Sequence, residues 1–258
     1  MGRHVSLLLY SARSPLESEK LLLLPGMEII KHQKTALVLG GSGLVGGFVL
    51  QQLLDHPAYK RVISLGRREL GLEGEGLEQH VIDFDNLKAC QEFMQAQDVF
   101  SCLGTTMAKA GSKADFYKVD YTYAYESAKL AAEAGANQLM LVSSVGADPD
   151  SLFFYTRVKG ELSEAVRKLP YWAIHIFEPS VLLGPRKEQR LGEQLAVRLT
   201  KNIAPYIRGP RIGKYRPVEA EDVAKAMITA AQGLQPGQMR YDSETIYDMA
   251  NANTQLLR

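Results

Sequence analysis

Ala36-Leu37-Val38-Leu39-Gly40-Gly41-Ser42-Gly43-Leu44-Val45-Gly46 reads as a strand, a glycine turn and the start of a helix. The stretch satisfies Gly-x-Gly-x-x-Gly at Gly41, Gly43 and Gly46, and also Gly-x-x-Gly-x-x-Gly at Gly40, Gly43 and Gly46. Glycine is needed here for separate reasons. A tight turn needs permissive dihedrals, a pyrophosphate must approach bare backbone, and the helix must pack closely on the strand. The helix N-terminus then offers free N–H groups and a positive dipole end to phosphates. A lone glycine motif carries little weight, but one set between a strand and a helix points to a dinucleotide. The competing reading is a tight turn that binds nothing.

Working outward, short apolar runs alternate with amphipathic stretches, the pattern of βαβ units and a parallel sheet. Strands are expected at 35–39, 61–65, 80–82, 98–102, 138–142 and 172–177, with helices at 44–55, 87–95, 114–134 and 152–168. Gly135 follows the third helix where a C-terminus favours glycine. Right-handed crossovers give a doubly wound, mostly parallel α/β Rossmann sheet in the order 3-2-1-4-5-6. After Pro179 the rhythm changes: about 184–217 is rich in Gly, Pro and basic residues, with one helical stretch near 192–201. A helix at 219–231 follows, and a short strand and helix close the chain. One NAD(P)-binding domain is expected over 35–258, with the 184–217 segment covering its pocket. Residues 1–34 read either as a flexible extension or as residues upstream of a start at Met27.

The end of the second strand sorts the cofactor. An acid about 20 residues past the glycine motif bonds the ribose 2′-OH of NAD, whereas Arg there suits a 2′-phosphate. This chain reads Ser64-Leu65-Gly66-Arg67-Arg68, with no carboxylate. Arg67 and Arg68 offer planar, permanently charged clamps, so NADPH is expected over NADH. The alternative is a solvated surface pair.

Tyr155-Thr156-Arg157-Val158-Lys159 places Tyr155 and Lys159 four apart on one helix face. An ammonium beside a phenol favours the phenolate and brings it toward the range of general acid/base chemistry. Ser143-Ser144 lies where the fifth strand ends, at the sheet edge where α/β proteins bind ligands. By itself Tyr-x-x-x-Lys is a common accident. Downstream of a serine pair and a glycine turn it is not.

In this order the motifs resemble the short-chain dehydrogenase/reductase superfamily, in its atypical branch, and more narrowly the Tat-interacting-protein group. The matching stretches are Cys102-Leu103-Gly104-Thr105-Thr106, Lys109-Ala110-Gly111, Ser143-Ser144-Val145-Gly146-Ala147-Asp148, Tyr155 to Glu161, and Pro179-Ser180-Val181-Leu182-Leu183-Gly184. The resemblance runs from about Lys34 onward and is most specific over 103–161. It implies that Tyr155 exchanges the proton, that Lys159 orients it and contacts the nicotinamide ribose, and that Ser144 holds the substrate oxygen, with Ser143 as the alternative. Cofactor contacts would fall on Gly40, Ser42, Gly43, Leu44, Val45, Gly46, Arg67 and Arg68, on Asp83 and Phe84 near the adenine, and on Leu103, Gly104, Thr105, Tyr155, Lys159 and Pro179. Two positions depart from the pattern. Many relatives carry an Asn on the fourth helix to hold a relay water, where the nearest candidate here is Asp120. They often carry Arg before the proline, where Glu178 stands here.

Bulk composition excludes more than it identifies. Across 258 residues the net charge is +1, which gives no overall attraction to nucleic acid or membrane, and no nucleic-acid motif is present. No apolar run approaches a membrane span. Cys90 and Cys102 form no pair, and neither they nor the five scattered histidines make a metal-ligand set. That cysteine usage fits a reducing, cytoplasmic compartment. Charge is uneven locally: between Arg186 and Arg216 nine Lys/Arg face two acids. The segment either meets an anionic substrate, an acidic partner or an acidic membrane surface, or is a solvated cationic face.

Three functions compete. The first is an NADPH-dependent oxidoreductase acting on a carbonyl or alcohol through Tyr155, Lys159 and Ser144. The second is a regulatory or interaction protein with a protein partner, switched by cofactor occupancy and turning over little. The third is nucleotide-sugar epimerase or dehydratase chemistry, for which the chain is short.

Overall fold

Period-two alternation places successive strand residues on opposite faces of the central sheet. In β3 (Lys34–Leu39), Ala36 and Val38 join one core while Leu37 and Leu39 join the other. The same division holds in β4 (Tyr59–Gly66), with Val62 against Ile63 and Leu65. It recurs in β7 (Gln138–Val142), where Met140 opposes Leu139 and Leu141. Burial on both faces is what a parallel sheet with helices on each side requires.

The computed structural model describes residues 20–24, 27–30, 32–185 and 213–255. Its main sheet has the order β11-β8-β7-β6-β3-β4-β5, and every pairing in it is parallel. Here β5 is Leu77–Val81, β6 is Asp98–Ser101, β8 is Ala173–Glu178 and β11 is Gly237–Asp242. The expected order 3-2-1-4-5-6 is therefore present, extended beyond the sixth strand by β11. One face carries α1 (Leu44–Leu54) with α6 (Ala220–Gly233) and α7 (Ser243–Gln255). The other carries α4 (Ala124–Glu133) and α5 (Phe154–Val166). Outside this sheet, β1 (Lys20–Leu24) and β2 (Met27–Ile30) pair as an antiparallel hairpin, and β9 (Leu182–Leu183) pairs in parallel with β10 (Val218–Glu219).

Two expected helices are corrected. Beyond the short α2 (Met107–Ala110), the single helix expected over 114–134 is three segments: α3 (Lys113–Tyr117), a π-helical turn (Lys118–Tyr123) and α4. Ser112 starts it, accepting the Asp115 N–H at 3.0 Å, the capping pattern that sets such a start. A π-turn inserts one extra residue per turn, a device that recurs at functional sites; here it carries Asp120. The helix expected at 87–95 is instead a 3₁₀ run over Phe84–Met94, broken at Asn86 and capped by Asp83, which accepts the Asp85 N–H. The third strand starts at Leu77, earlier than expected, because at the sheet edge its residues are half exposed and the alternation is weak. Positions 186–212, most of the segment expected to cover the pocket and the helical stretch near 192–201, lie outside the described residues.

His175 is an unforeseen core residue. On β8 it is fully buried, its Nδ1 lies 2.9 Å from the Tyr241 hydroxyl, and burial pulls its pKa down to about 4. The unfolded chain protonates near 6.5, so from there down to about 4 only the unfolded state gains the proton, and stability falls as pH falls through that window. The expected loss is about 3 kcal/mol by linkage. Urea unfolding at pH 7 and pH 4.5 measures it, and a His175→Leu variant should lack most of the slope.

Candidate active site

The glycine turn opens at the carboxyl edge of the sheet, between β3 and α1. Gly40 has φ +83°, and a Cβ there would lie 2.6 Å from the Cys102 carbonyl oxygen. A Cβ on Gly46 would lie 2.3 Å from the Gly40 oxygen. Those two contacts require glycine at Gly40 and Gly46, and a Cβ on Gly43 would sit tightly, 3.1 Å from the Gly40 oxygen. Gly41 is held differently, since its Cβ would meet the Leu50 side chain at 2.4 Å. Gly43 caps α1 without any side-chain hydrogen bond, and no acid stands in the first turn. The helix start is therefore an uncommitted anion cradle.

A groove lies over this turn. It is lined by Gly40, Ser42, Gly43, Arg67, Arg68, Phe84, Leu103 and Gly104, all expected from the sequence. Arg67 and Arg68 are exposed, and among the described residues neither meets a carboxylate. Of the remaining expected contacts, Val45 is buried beneath the turn and Gly46 packs against it. Leu44 packs toward Gly184, where a Cβ would sit 3.2 Å from it. Asp83 caps the Phe84 turn, and the Pro179 carbonyl accepts the Val145 N–H at 3.0 Å, behind the serine pair.

The groove also has walls that the sequence reading missed. Leu70 lines it because Gln79 clamps its loop, donating to the Leu70 and Leu72 carbonyls at 3.2 and 2.8 Å. Val119 and Tyr123 line it from the π-turn. Their spacing of four on either side of Asp120 was the available signal. Cys102 lines it too, and burial pushes its thiol up to about 12, so this cysteine stays a neutral wall.

Past Gly104 the groove meets a buried ion pair. A Cβ on Gly104 would lie 3.4 Å from Asp120 Oδ1 and 3.6 Å from Lys159 Nζ. Those two atoms are 2.8 Å apart, with side chains 1% and 6% exposed. Oδ1 meets no well-angled donor, so the contact is ionic in character. Asp120 Oδ2 accepts the Thr105 N–H at 2.7 Å, which ties the Leu103-Gly104-Thr105 loop to the π-turn. Burial disfavours the Lys159 charge, but Asp120 and the nearby Tyr155 phenol outweigh it, and the net shift is upward. Lys159 is a fixed cation.

Tyr155 stands in the first turn of α5, 41% exposed, with its ring 5.8 Å from that of Phe116. Gly160 lets this helix approach the loop after β7, since a Cβ there would lie 2.2 Å from the Asp148 backbone. The two serines differ. Ser143 Oγ is 3.1 Å from Ser163 Oγ, inside the core. Ser144 Oγ makes only a 3.4 Å contact to the Val145 carbonyl, leaving its hydroxyl available. Glu178, in place of the usual arginine, pairs with Arg240 of the neighbouring strand β11. Arg240 also donates to the Ala147 carbonyl at 3.3 Å. Of the basic segment, the described Lys214 and Arg216 lie over the rings of Tyr215 and Tyr247 at 5.0 and 3.5 Å.

Residues 36–242 match the NAD dependent epimerase/dehydratase family. Protein HTATIP2 of Rattus norvegicus is 40% identical over 184 residues, 69% of this chain and 76% of its own length. Protein FMP52, mitochondrial, of Candida albicans is 36% identical over 205 residues, 77% and 88% of the two chains. Among solved structures, MoeE5 in complex with UDP-glucose and NAD superposes with a TM-score of 0.62 at 16% identity, covering 86% of this chain and 82% of that one. The Bordetella bronchiseptica enzyme WbmH in complex with NAD+ gives 0.63 at 13% identity, covering 88% and 82%. The Tat-interacting-protein resemblance and the Rossmann fold read from the sequence are borne out.

Proposed function

The chain belongs to the NAD dependent epimerase/dehydratase family, and from that premise we propose that it is an NADPH-binding oxidoreductase acting on a carbonyl or alcohol. The observation that carries the NADPH reading is the arginine pair. Arg67 and Arg68 line the groove at the end of β4, where an NAD site places a carboxylate. The cradle fits the dinucleotide: the Gly40, Gly43 and Gly46 backbones and the uncapped start of α1 would hold the pyrophosphate, and Phe84 would border the adenine. When bound, the dinucleotide would supply or accept a hydride.

The chain's own groups carry the rest. Tyr155 gives a proton to the carbonyl oxygen or takes one from the alcohol, Lys159 fixes it electrostatically, and Ser144, the freer serine, hydrogen-bonds the same oxygen. An anionic substrate remains part of this proposal through the basic stretch between Arg186 and Arg216. The UDP-sugar enzymes of similar fold share too little sequence to bring their substrate here. A cytoplasmic location is likewise proposed; fungal relatives carry names that place those proteins in mitochondria, and cell fractionation separates the two.

Replacing both arginines tests the cofactor reading. Arg67→Ala/Arg68→Ala should weaken NADPH binding by about 10–100-fold, as expected for losing charge-assisted contacts to a phosphate, and leave NADH within about threefold. Calorimetric titration with each dinucleotide measures both constants. Equal weakening for the two would assign the arginines no part in 2′-phosphate recognition.

A further inference from the structure

After Cys102, whose N–H reaches the Leu39 carbonyl at 2.9 Å, the chain leaves the sheet and lines the groove with Leu103 and Gly104. It is fixed again at Thr106, which caps α2 by accepting the Lys109 N–H at 3.2 Å. Among the described residues one backbone N–H between those two points is held, that of Thr105, on Asp120 Oδ2 at 2.7 Å. The other oxygen of the same carboxylate lies 2.8 Å from Lys159 Nζ. Gly104 sits over that second contact. A Cβ there would lie 3.4 Å from Asp120 Oδ1 and 3.6 Å from Lys159 Nζ, so the ion pair lies directly beneath a groove-lining residue. Few other ionisable groups surround it. Asp120 faces Lys159 from the π-turn, and the Tyr155 phenol faces it from its own helix. Glu161, further along α5, lies beside Tyr117 and Tyr121. Leu103, Gly104 and Thr105 bring no charge.

We propose that Asp120 is a positioning residue of the dinucleotide groove, with one carboxylate seating the Leu103-Gly104-Thr105 floor and fixing the Lys159 ammonium beneath it. This rests on reading the groove as the dinucleotide site. The two duties need different chemistry. Holding the Thr105 N–H takes any acceptor, an amide oxygen included. Holding the ammonium takes a negative charge, because burial alone works against the charged lysine. A side chain 1% exposed serves both, which is why truncating it should disturb the groove from below without removing any atom that lines it.

Variants of the full chain separate the duties. Asp120→Ala/Lys159→Met and Asp120→Asn/Lys159→Met leave no buried charge unpaired and differ in the acceptor offered to Thr105. Hydrogen exchange of the Thr105 amide, resolved by NMR, reads the seating without any ligand. It should be about 10–100-fold faster in the alanine pair than in the unmodified chain, and within about threefold of that chain in the asparagine pair. NADPH should bind the asparagine pair about tenfold more tightly than the alanine pair. The charge is read in Asp120→Asn alone, by titrating NADPH between pH 7 and pH 9. Affinity of the unmodified chain should stay flat, whereas in the variant the unpaired ammonium loses its proton as pH rises, and affinity should fall about tenfold. A merely structural defect would weaken binding alike at every pH. Should Asp120→Asn alone not fold, the two paired variants decide. Equal Thr105 exchange in the two pairs overturns the proposal, and so does an Asp120→Asn profile as flat as that of the unmodified chain. An unmodified chain that binds no NADPH refutes the dinucleotide reading instead, and the Thr105 amide still decides whether Asp120 seats the loop.

Discussion

Tyr155→Phe is expected to lower carbonyl turnover by about 10²–10⁴-fold, the range for losing a positioned general acid, and to change NADPH affinity by less than about threefold. The substitution removes one hydroxyl and keeps the ring that packs near Phe116. Because the side chain is 41% exposed and its hydroxyl carries no structural hydrogen bond among the described residues, stability should move little. The loss should appear in kcat, since proton donation matters in the transition state and not in binding. Steady-state kinetics with NADPH against a panel of aldehydes and ketones reads it. Turnover unchanged in the variant would remove Tyr155 from the chemistry. No turnover in either protein, with partner binding equal in both, would favour the cofactor-switched regulatory reading.

Asp98→Ala should cost about 3–5 kcal/mol of folding stability, the range for breaking a buried charge pair. Asp98 is 1% exposed at the start of β6 and accepts from Lys34 Nζ at 2.9 Å, the Tyr59 hydroxyl at 2.7 Å and Gln138 Nε2 at 2.8 Å. Truncation leaves a 1%-exposed ammonium without its carboxylate and the Tyr59 hydroxyl without its acceptor, while Lys34 and Gln138 keep only the Ala231 carbonyl, at 3.3 and 3.0 Å. The charge-free double replacement Lys34→Met/Asp98→Leu should recover most of that loss, since it leaves no ion unpaired. Urea denaturation measures each protein. The cluster joins the N-terminal ends of β3, β6 and β7, opposite the groove, so NADPH affinity of the folded Asp98→Ala fraction should be unchanged. A loss below about 1 kcal/mol would mean that the freed groups find water.

These two sites were unequally legible in the sequence. Tyr155 and Lys159 are neighbours in the chain, and Gly40, Gly43 and Gly46 are needed by one turn, so local spacing was enough to find them. Sheet order was legible for a related reason: each strand alternates between two cores, and right-handed crossovers leave few arrangements. The Asp98 cluster draws on residues 64 and 40 positions away, and no pattern in the chain announces such a meeting. Lys34 was read as the end of an extension, yet it is the buried first residue of β3. Asp120 was noticed as a departure from the family pattern, but its ion pair follows from a π-turn that helical periodicity does not reveal. Glu178 was noticed as a departure too, and its ion pair with Arg240 crosses to β11, a pairing that no local spacing shows.

The most direct measurement is a calorimetric titration of the unmodified chain with NADPH and with NADH. One NADPH per chain is expected, with a dissociation constant on the order of micromolar and at least about tenfold below that for NADH. Heat from neither dinucleotide would contradict the account, leaving a Rossmann scaffold whose glycine turn and arginine pair serve something else.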